Sequence, residues 1–199
     1  MGIVTRGFKG RRDPSAAHLP PGQYLTRDFP VLSAGPTPSI PLDRWRFTIR
    51  DENGSEHAWS WRELLDLPRE EPTVDIHCVT KWSKLQTRWE GVSLDTLLAN
   101  VQTSASYALV HSYGGYSTNL PLADLRDGKA WVAYRHEGED LAGEHGGPAR
   151  LLVPHLYFWK SAKWVSGIEL LAQDTPGFWE HLGYNNYGDP WREQRYTGD

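Results

Sequence analysis

The only cysteine of the chain, Cys78, is the first residue whose type and position could do chemistry. It closes an apolar stretch over residues 74–78 that is typical of a strand, and side chains at strand ends are often presented to pockets. As a thiolate, it could bind a soft or high-valent metal. It could equally be an acylating nucleophile with His111, His145 or His155 as its base. A small buried hydrophobic residue is the third interpretation that the sequence allows.

Three basic residues follow the cysteine closely. Lys81, Lys84 and Arg88 would favour the thiolate form of Cys78 if the chain after it folds back. The alternative is that they are ordinary solvated charges on the surface.

A second basic cluster follows a rigid glycine–proline turn at residues 146–148. Arg150, Lys160, Ser161 and Lys163 could form a compact phosphate site, with the arginine as a bidentate fork and the lysines as point charges. A solvated basic face on a pair of strands is the alternative interpretation.

The elements that must position these residues are short and irregularly spaced. Alternating apolar and charged residues over 45–50 predict a strand, and Asn53-Gly54 predicts a hairpin turn. Ser60 and Glu63 form a capping box that opens a helix over 61–67. Further strands are predicted over 73–78, 107–111, 116–120, 131–135, 149–153 and 163–171, and further helices over 93–100 and 121–126. Because a regular alternation of strand and helix is missing, the pattern indicates an α+β fold.

Proline is concentrated near the N-terminus, where seven of the 14 prolines fall within the first 41 residues. Proline fixes φ and removes a hydrogen-bond donor, so we expect residues 1–40 to form an extended arm that packs on the domain. Residues 41–175 would then form the central domain. Residues 176–199 would form an aromatic, glycine-rich tail, for which a loop wrapped on the domain is the default interpretation.

Composition limits the classes of function. With 39% hydrophobic and 23% charged residues, the chain is expected to be globular and soluble, not disordered. The net charge of −4 argues against nucleic-acid binding, and the longest apolar runs are too short to cross a bilayer. A single cysteine excludes an intramolecular disulfide. Because no apolar stretch follows Arg11-Arg12, we expect no secretion signal and a cytoplasmic location.

Two motifs at their mutual distance resemble the molybdopterin-binding catalytic domain of the sulfite oxidase family. They are His77-Cys-Val-Thr-Lys-Trp-Ser83 with Trp89-Glu-Gly-Val92, and Gly147-Pro-Ala-Arg150 with Lys160-Ser-Ala-Lys163. The resemblance runs over about residues 40–172 and is to the small, haem-free bacterial members, related to the catalytic subunit of the periplasmic methionine sulfoxide reductase. It implies an α+β domain of mixed β-sheets with short helices, which would make residues 41–175 the catalytic domain. It also implies the molybdenum–molybdopterin cofactor, held by a pterin dithiolene and one cysteine thiolate.

The resemblance assigns roles residue by residue. Cys78 matches the metal ligand, and Arg150 matches the arginine that contacts the pterin or its phosphate. The loop that holds the cofactor through its backbone and a lysine is matched by Ser161, Ala162 and Lys163.

Other positions match the family more loosely. Ser112 stands where the family has a small hydroxyl residue near the pterin, and His145 stands where periplasmic relatives often have asparagine. The N-terminal contact to the pterin is expected within residues 29–35. Lys81 and Trp82 occupy the place of an arginine that follows the ligand in true sulfite oxidases, so the substrate of those enzymes does not transfer directly.

The resemblance implies an oxidoreductase that moves an oxygen atom and two electrons on a small oxyanion or sulfoxide. Lys81, Arg88 and His77 are the candidates for binding an anionic substrate near the metal. No haem or flavin motif is present, so we expect a separate haem or flavin protein as electron partner. A cysteine hydrolase or acyltransferase and a non-catalytic, tryptophan-rich binding module are the alternatives, and molybdenum analysis would distinguish them.

Overall fold

The computed structural model describes residues 18–199, which form two β-sheets with a few short helices between their strands. The strands are β1 (Tyr24–Leu25), β2 (Arg46–Arg50), β3 (Glu56–Ser60), β4 (Thr73–His77), β5 (Trp82–Ser93), β6 (Tyr107–Ser112), β7 (Ser117–Pro121), β8 (Trp131–His136), β9 (Glu139–Asp140), β10 (Arg150–Leu152) and β11 (Val165–Leu171). The α-helices are α1 (Trp61–Leu65), α2 (Leu94–Leu98) and α3 (Phe178–His181). Mixed sheets with short helices confirm the predicted α+β class.

The two sheets have different strand orders. The first follows β1-β5-β8-β10, with β4 also paired to β5 and β9 to β8. The second follows β3-β2-β11-β6-β7. In each sheet one pair is parallel, β1 with β5 and β11 with β2, and the other pairs are antiparallel.

Local sequence signals determine the small elements. The β2–β3 hairpin turns at Asn53-Gly54, where Gly54 has a φ of +85°, as that dipeptide predicts. The Ser60 side chain accepts a hydrogen bond from the Glu63 backbone N–H, and the Glu63 carboxylate accepts one from the Ser60 backbone N–H, so the predicted capping box is present. The predicted helix over 121–126 is instead a 3-10 turn at Leu122–Leu125.

The twelve-residue strand β5 is the longest element that sequence patterns do not predict. Its pairing shifts register against β4 and against β8, and Gln86 within it has a φ of +54°. Each irregularity moves the following side chains to the other face, so the period-two pattern of a strand is lost. β5 nevertheless joins β1, β4 and β8 into one sheet.

Both ends of the described chain pack against the first sheet, near the turn between β4 and β5. Within the predicted arm over 1–40, residues 1–17 lie outside the described residues, and Tyr24–Leu25 pairs with the start of β5. In the tail, the Arg195 guanidinium donates from Nη1 to the Val79 carbonyl at 2.6 Å. The two ends therefore meet around the turn that follows β4.

Candidate functional site

A cavity of about 500 Å³ lies between the turn after β4, the 3-10 turn at Phe158–Lys160, the arm and the C-terminal segment. Cys78 lines this cavity together with Arg150 and Lys163. The cavity also takes in residues 29–30 and 32–36, where the N-terminal cofactor contact was expected.

Cys78 is presented by the tight turn between β4 and β5. Its backbone N–H donates to the Trp82 carbonyl at 2.8 Å, and the Lys81 N–H donates to the Cys78 carbonyl at 3.0 Å. Lys81 closes the turn with a φ of +78°, a left-handed conformation that costs a non-glycine residue on the order of 1–3 kcal/mol. The surrounding hydrogen bonds hold this conformation and thereby fix the direction of the cysteine side chain.

The thiol of Cys78 is buried, and its Sγ lies 3.1 Å from the Thr80 hydroxyl oxygen. Burial raises the pKa of the Cys78 thiol, while hydrogen bonds from Thr80 and the charge of Arg195 oppose the shift. The free thiol is therefore protonated at neutral pH. A protonated thiol is a poor nucleophile, but a metal displaces that proton when the thiolate binds it.

Arg150, at the start of β10, is buried with donors to spare. It donates to the carbonyls of His145 at 2.7 Å, Ser161 at 2.6 Å and Leu151 at 3.4 Å. A guanidinium has five N–H groups, so two are left beside the cavity. Burial lowers the pKa of Arg150 to about 9, which still leaves it charged at neutral pH.

Lys163 lies on the same cavity wall. Its ammonium donates to the carbonyls of Leu32 at 2.7 Å and Glu144 at 2.5 Å, which leaves one of its three protons. Burial, and then the charge of Arg150, lowers the pKa of Lys163 to about 8. Gly146 permits the close approach, because its φ is +110° and a Cβ there would lie 3.0 Å from the Lys163 Cα.

Lys160 does not belong to the phosphate cluster in which the sequence placed it. Its ammonium is 2.6 Å from Glu180 Oε1, and the two side chains are 0% and 1% exposed. Ser161 and Ala162 do line the cavity, although the Ser161 hydroxyl is occupied by the Val153 N–H at 2.9 Å. The sequence cannot separate Lys160 from Lys163, because the partners that distinguish them, such as Glu180 for Lys160 and Leu32 for Lys163, are distant in the chain.

His145 lines the cavity with its ring stacked on Phe29 at 3.9 Å between centroids. Burial lowers the pKa of His145, so its ring is neutral at neutral pH. Its Nδ1 is buried and has no hydrogen-bond partner among residues 18–199, and the same holds for the Ser112 hydroxyl. Ser112 itself does not line the cavity, although Gly114 and Gly115, two and three residues further along the chain, do. A buried polar atom without a partner is costly, and the one on His145 belongs to a side chain that lines the cavity.

The structure does not bring Lys81 or Arg88 to the cavity. The Lys81 side chain is exposed and is not part of the lining. Arg88 lies six residues along β5 from Trp82, about 20 Å at the usual rise of a strand. Its side chain is 68% exposed and pairs with Glu137 at 3.2 Å. In this structure neither of these two charges folds back on Cys78. Among residues 18–199, the charges that act on the thiol are those of Arg150, Lys163 and Arg195.

The histidines suggested as bases for a nucleophilic cysteine also lie elsewhere or are occupied. His111 pairs with Glu169 at 3.6 Å, and His155 pairs with Asp124 at 3.1 Å. His145 lines the cavity, but its ring is held against Phe29.

Sequence patterns missed one whole wall of the cavity. Phe178, Trp179 and Tyr184 come from the predicted tail and line the cavity with Trp159. Trp179 and Tyr184 stack at 4.9 Å, and Trp159 meets Tyr184 edge-on at 5.1 Å. The aromatic content of the tail was the available signal, but the tail has no period that would indicate which ring faces inward.

These residues fit the molybdenum–molybdopterin cofactor that the sequence motifs imply. Cys78 offers a soft sulfur donor, and the spare N–H groups of Arg150 and Lys163 suit a phosphate. The stacked rings of Phe29 and His145, which line the cavity, would offer a flat surface to a heterocycle. In the described part of the chain, no three His, Cys, Asp or Glu side chains cluster as a separate metal site.

Comparisons with known proteins support this cofactor. Residues 34–179 match the family model described as an oxidoreductase molybdopterin binding domain. Over 194 residues the chain is 41% identical to the uncharacterized oxidoreductase YuiH of Bacillus subtilis, an alignment that covers 96% of this chain and 98% of that protein.

More distant relatives have more specific names. The chain is 25% identical over 182 residues to the putative protein-methionine-sulfoxide reductase subunit YedZ1 of Azospira oryzae, which covers 88% of this chain and 69% of that protein. It is 24% identical over 206 residues to human mitochondrial sulfite oxidase, covering 84% of this chain but 38% of that enzyme.

Among solved structures, the sulfane dehydrogenase SoxCD of Paracoccus pantotrophus has the same fold, with a TM-score of 0.61 and 20% identity. The alignment covers 69% of this chain and 40% of that one. The family match spans most of the sequence, and the residues fit the cofactor. The chain therefore belongs to the sulfite oxidase family of molybdopterin-dependent oxidoreductases.

Proposed function

We propose that Cys78 is the protein ligand of molybdenum and that the enzyme transfers an oxygen atom, with two electrons, on a small oxyanion or sulfoxide. The observation that carries the proposal is the placement of a buried cysteine sulfur in one cavity with the spare donors of Arg150 and Lys163. The cofactor supplies the two-electron chemistry and the position at which oxygen is exchanged.

The chain's own groups would hold the cofactor at both ends. Thr80 and the turn around Lys81 orient the Cys78 sulfur. Arg150 and Lys163 would bind the phosphate and pterin end through charge-assisted hydrogen bonds. The aromatic rings would exclude water from the space between, which strengthens each of these interactions.

Of the two substrate classes, the cavity favours a neutral sulfoxide. Among the described residues, its cationic side chains are Arg150 and Lys163, and both are needed for the cofactor. Lys81 and Arg88 do not line it, and what remains beside Cys78 is mainly aromatic. A sulfoxide has one polar oxygen and an apolar remainder, which suits such a surface.

The balance of the reaction requires an electron donor. When the sulfur–oxygen bond of a sulfoxide breaks, the oxygen leaves as water, and this consumes two protons and two electrons. We propose that a separate haem or flavin protein delivers these electrons.

None of the described helices is long and apolar enough to cross a membrane. A cytoplasmic location is part of the proposal and is tested by cell fractionation.

The test is a substrate screen on molybdenum-loaded protein. With a reduced viologen dye as donor, we expect turnover of methyl phenyl sulfoxide and dimethyl sulfoxide. With ferricyanide as acceptor, we expect sulfite to be oxidised with a kcat/KM lower by at least about tenfold, because no cation among the described cavity residues is left to bind it. Molybdenum content per chain is measured in parallel.

Surface charges provide the control. Lys81→Ala and Arg88→Ala are expected to leave the KM for both sulfoxides unchanged, because neither side chain lines the cavity. The opposite result would be sulfite turnover well above sulfoxide turnover, with that activity lost in Lys81→Ala. It would favour an oxyanion as the substrate and a role for Lys81 in binding it. Protein that hydrolyses thioesters or esters without molybdenum would favour the cysteine hydrolase instead.

A further inference from the structure

A buried ion pair lies directly behind the aromatic side of the cavity. The Lys160 ammonium is 2.6 Å from Glu180 Oε1, and both side chains are at most 1% exposed to solvent. Nothing in the proposed chemistry uses this pair. Burying two charges is expensive, and replacing a buried pair by apolar side chains is often neutral or stabilising for a fold. Stability alone is therefore a weak explanation for the pair, and its role is better sought in the residues that it holds in place.

The pair joins three parts of the chain. The Lys160 ammonium donates to the Asn119 carbonyl and the Asn186 carbonyl, each at 2.8 Å. Glu180 Oε1 accepts from the Thr118 hydroxyl at 3.0 Å and from the Trp159 indole at 2.9 Å. The second sheet and the C-terminal segment are thus tied together through charged hydrogen bonds, which are the stronger kind.

Three cavity rings are attached to these anchors. Trp159, Trp179 and Tyr184 form what is here called the aromatic wall. Trp159 precedes Lys160, and Trp179 precedes Glu180 in the chain. Tyr184 lies two residues before Asn186, whose carbonyl accepts from Lys160.

The packing around the wall leaves little room for adjustment. A Cβ on Gly188 would lie 2.8 Å from Trp159 Cζ2, and a Cβ on Gly177 would collide with the Thr118 backbone. The Trp159 indole is also hydrogen-bonded directly to Glu180. The position of the wall therefore depends on the pair.

We propose that Lys160 and Glu180 are positioning residues for the substrate, holding the aromatic wall against the cavity so that the organic group of the substrate packs on it. The proposal rests on the proposed function, since it places the organic part of a sulfoxide on this wall. Neither residue touches the substrate. Their effect is on how tightly a large organic group binds, not on the metal.

The decisive variant is Glu180→Gln, which keeps the shape of the side chain and removes its charge. We expect the KM for methyl phenyl sulfoxide to rise about tenfold and that for dimethyl sulfoxide to change less than about threefold, with kcat for both nearly unchanged. Molybdenum content and the visible absorption should equal those of the wild type. Glu56→Gln is the matched control, because it removes an equally short but exposed ion pair with Arg50.

Loss of one partner can also unfold the protein, so a double variant is needed. Lys160→Met with Glu180→Leu replaces both charges by apolar side chains and is expected to fold. We expect it to show the same selective rise in KM for the aryl sulfoxide. A wild-type KM for both sulfoxides in the folded double variant would overturn the proposal, as would equal losses for both substrates in Glu180→Gln.

Equilibrium binding to the molybdenum-loaded protein without an electron donor, where no turnover occurs, separates this proposal from the proposed function. Titration calorimetry with methyl phenyl sulfoxide should show weaker binding to Glu180→Gln than to the wild type. If wild-type enzyme turns over no sulfoxide but this difference is present, the proposed substrate is wrong and the positioning role stands. If sulfoxides are turned over but neither binding nor KM depends on the pair, the positioning role is wrong.

Discussion

Replacing Cys78 with serine is expected to reduce activity to the background of the assay. Serine exchanges a soft thiolate for a hard hydroxyl that stays largely protonated. Substitutions of groups that merely orient a metal ligand cost about 10–100-fold, so loss of the ligand itself should exceed that range. The visible absorption that arises from the thiolate bound to molybdenum should disappear, even where pterin is retained. Absorption spectra and metal analysis of the purified variant measure both effects.

A control measurement must show that the Cys78→Ser variant folds when no metal is bound. Serine is close to cysteine in size, so thermal unfolding of the variant without cofactor should match that of the wild type without cofactor. Thr80→Val is the companion variant, because it removes the hydroxyl 3.1 Å from Cys78 Sγ while leaving the sulfur in place. It should keep the visible band with a shifted maximum. A full, unshifted band in Cys78→Ser would contradict the assignment of Cys78 as ligand.

The parts of the fold that follow local rules are predictable from the sequence. The β2–β3 hairpin and the start of α1 follow from Asn53-Gly54 and from the Ser60–Glu63 capping box, which act within a few residues. β5 does not follow such a rule. Its bulges arise from partners on both sides, and these break the alternation that would mark a strand.

The candidate site divides in the same way. Cys78, Arg150 and Lys163 could be found because they stand in two short motifs. The sequence could not show that Lys160 is held in a buried ion pair while Lys163 lines the cavity. The difference depends on Glu180, which lies twenty residues after Lys160 in the chain. Tyr184 could not be predicted as a cavity residue for a similar reason, since its place at the cavity is set by packing against Trp159 and Trp179.

Arg150→Ala is expected to give folded protein with much less bound molybdenum and pterin. The substitution removes the two spare N–H groups at the cavity and leaves the carbonyls of His145 and Ser161 without their donor. An unsatisfied buried acceptor costs about 1–3 kcal/mol, and loss of one partner of a buried, hydrogen-bonded charge pair costs about 2–5 kcal/mol in binding. At the upper end, that corresponds to a loss of cofactor affinity of more than a thousandfold. Metal and pterin content per chain, measured after gel filtration, report this loss.

Two further arginine variants make the result interpretable. Arg150→Lys keeps the charge but not the fork, so it should retain more cofactor than Arg150→Ala and less than the wild type. Arg88→Ala removes an arginine that is 68% exposed and paired with Glu137, so it should be loaded like the wild type. If Arg150→Ala were fully loaded, the basic cluster would have no part in holding the cofactor, and its role would be limited to the carbonyls that it already binds. If Arg150→Ala and Arg88→Ala lost cofactor equally, the effect would be one of net charge. If the remaining donors of Arg150 bind the phosphate, cofactor should be lost only when residue 150 is changed. The loss should then be smaller in Arg150→Lys than in Arg150→Ala.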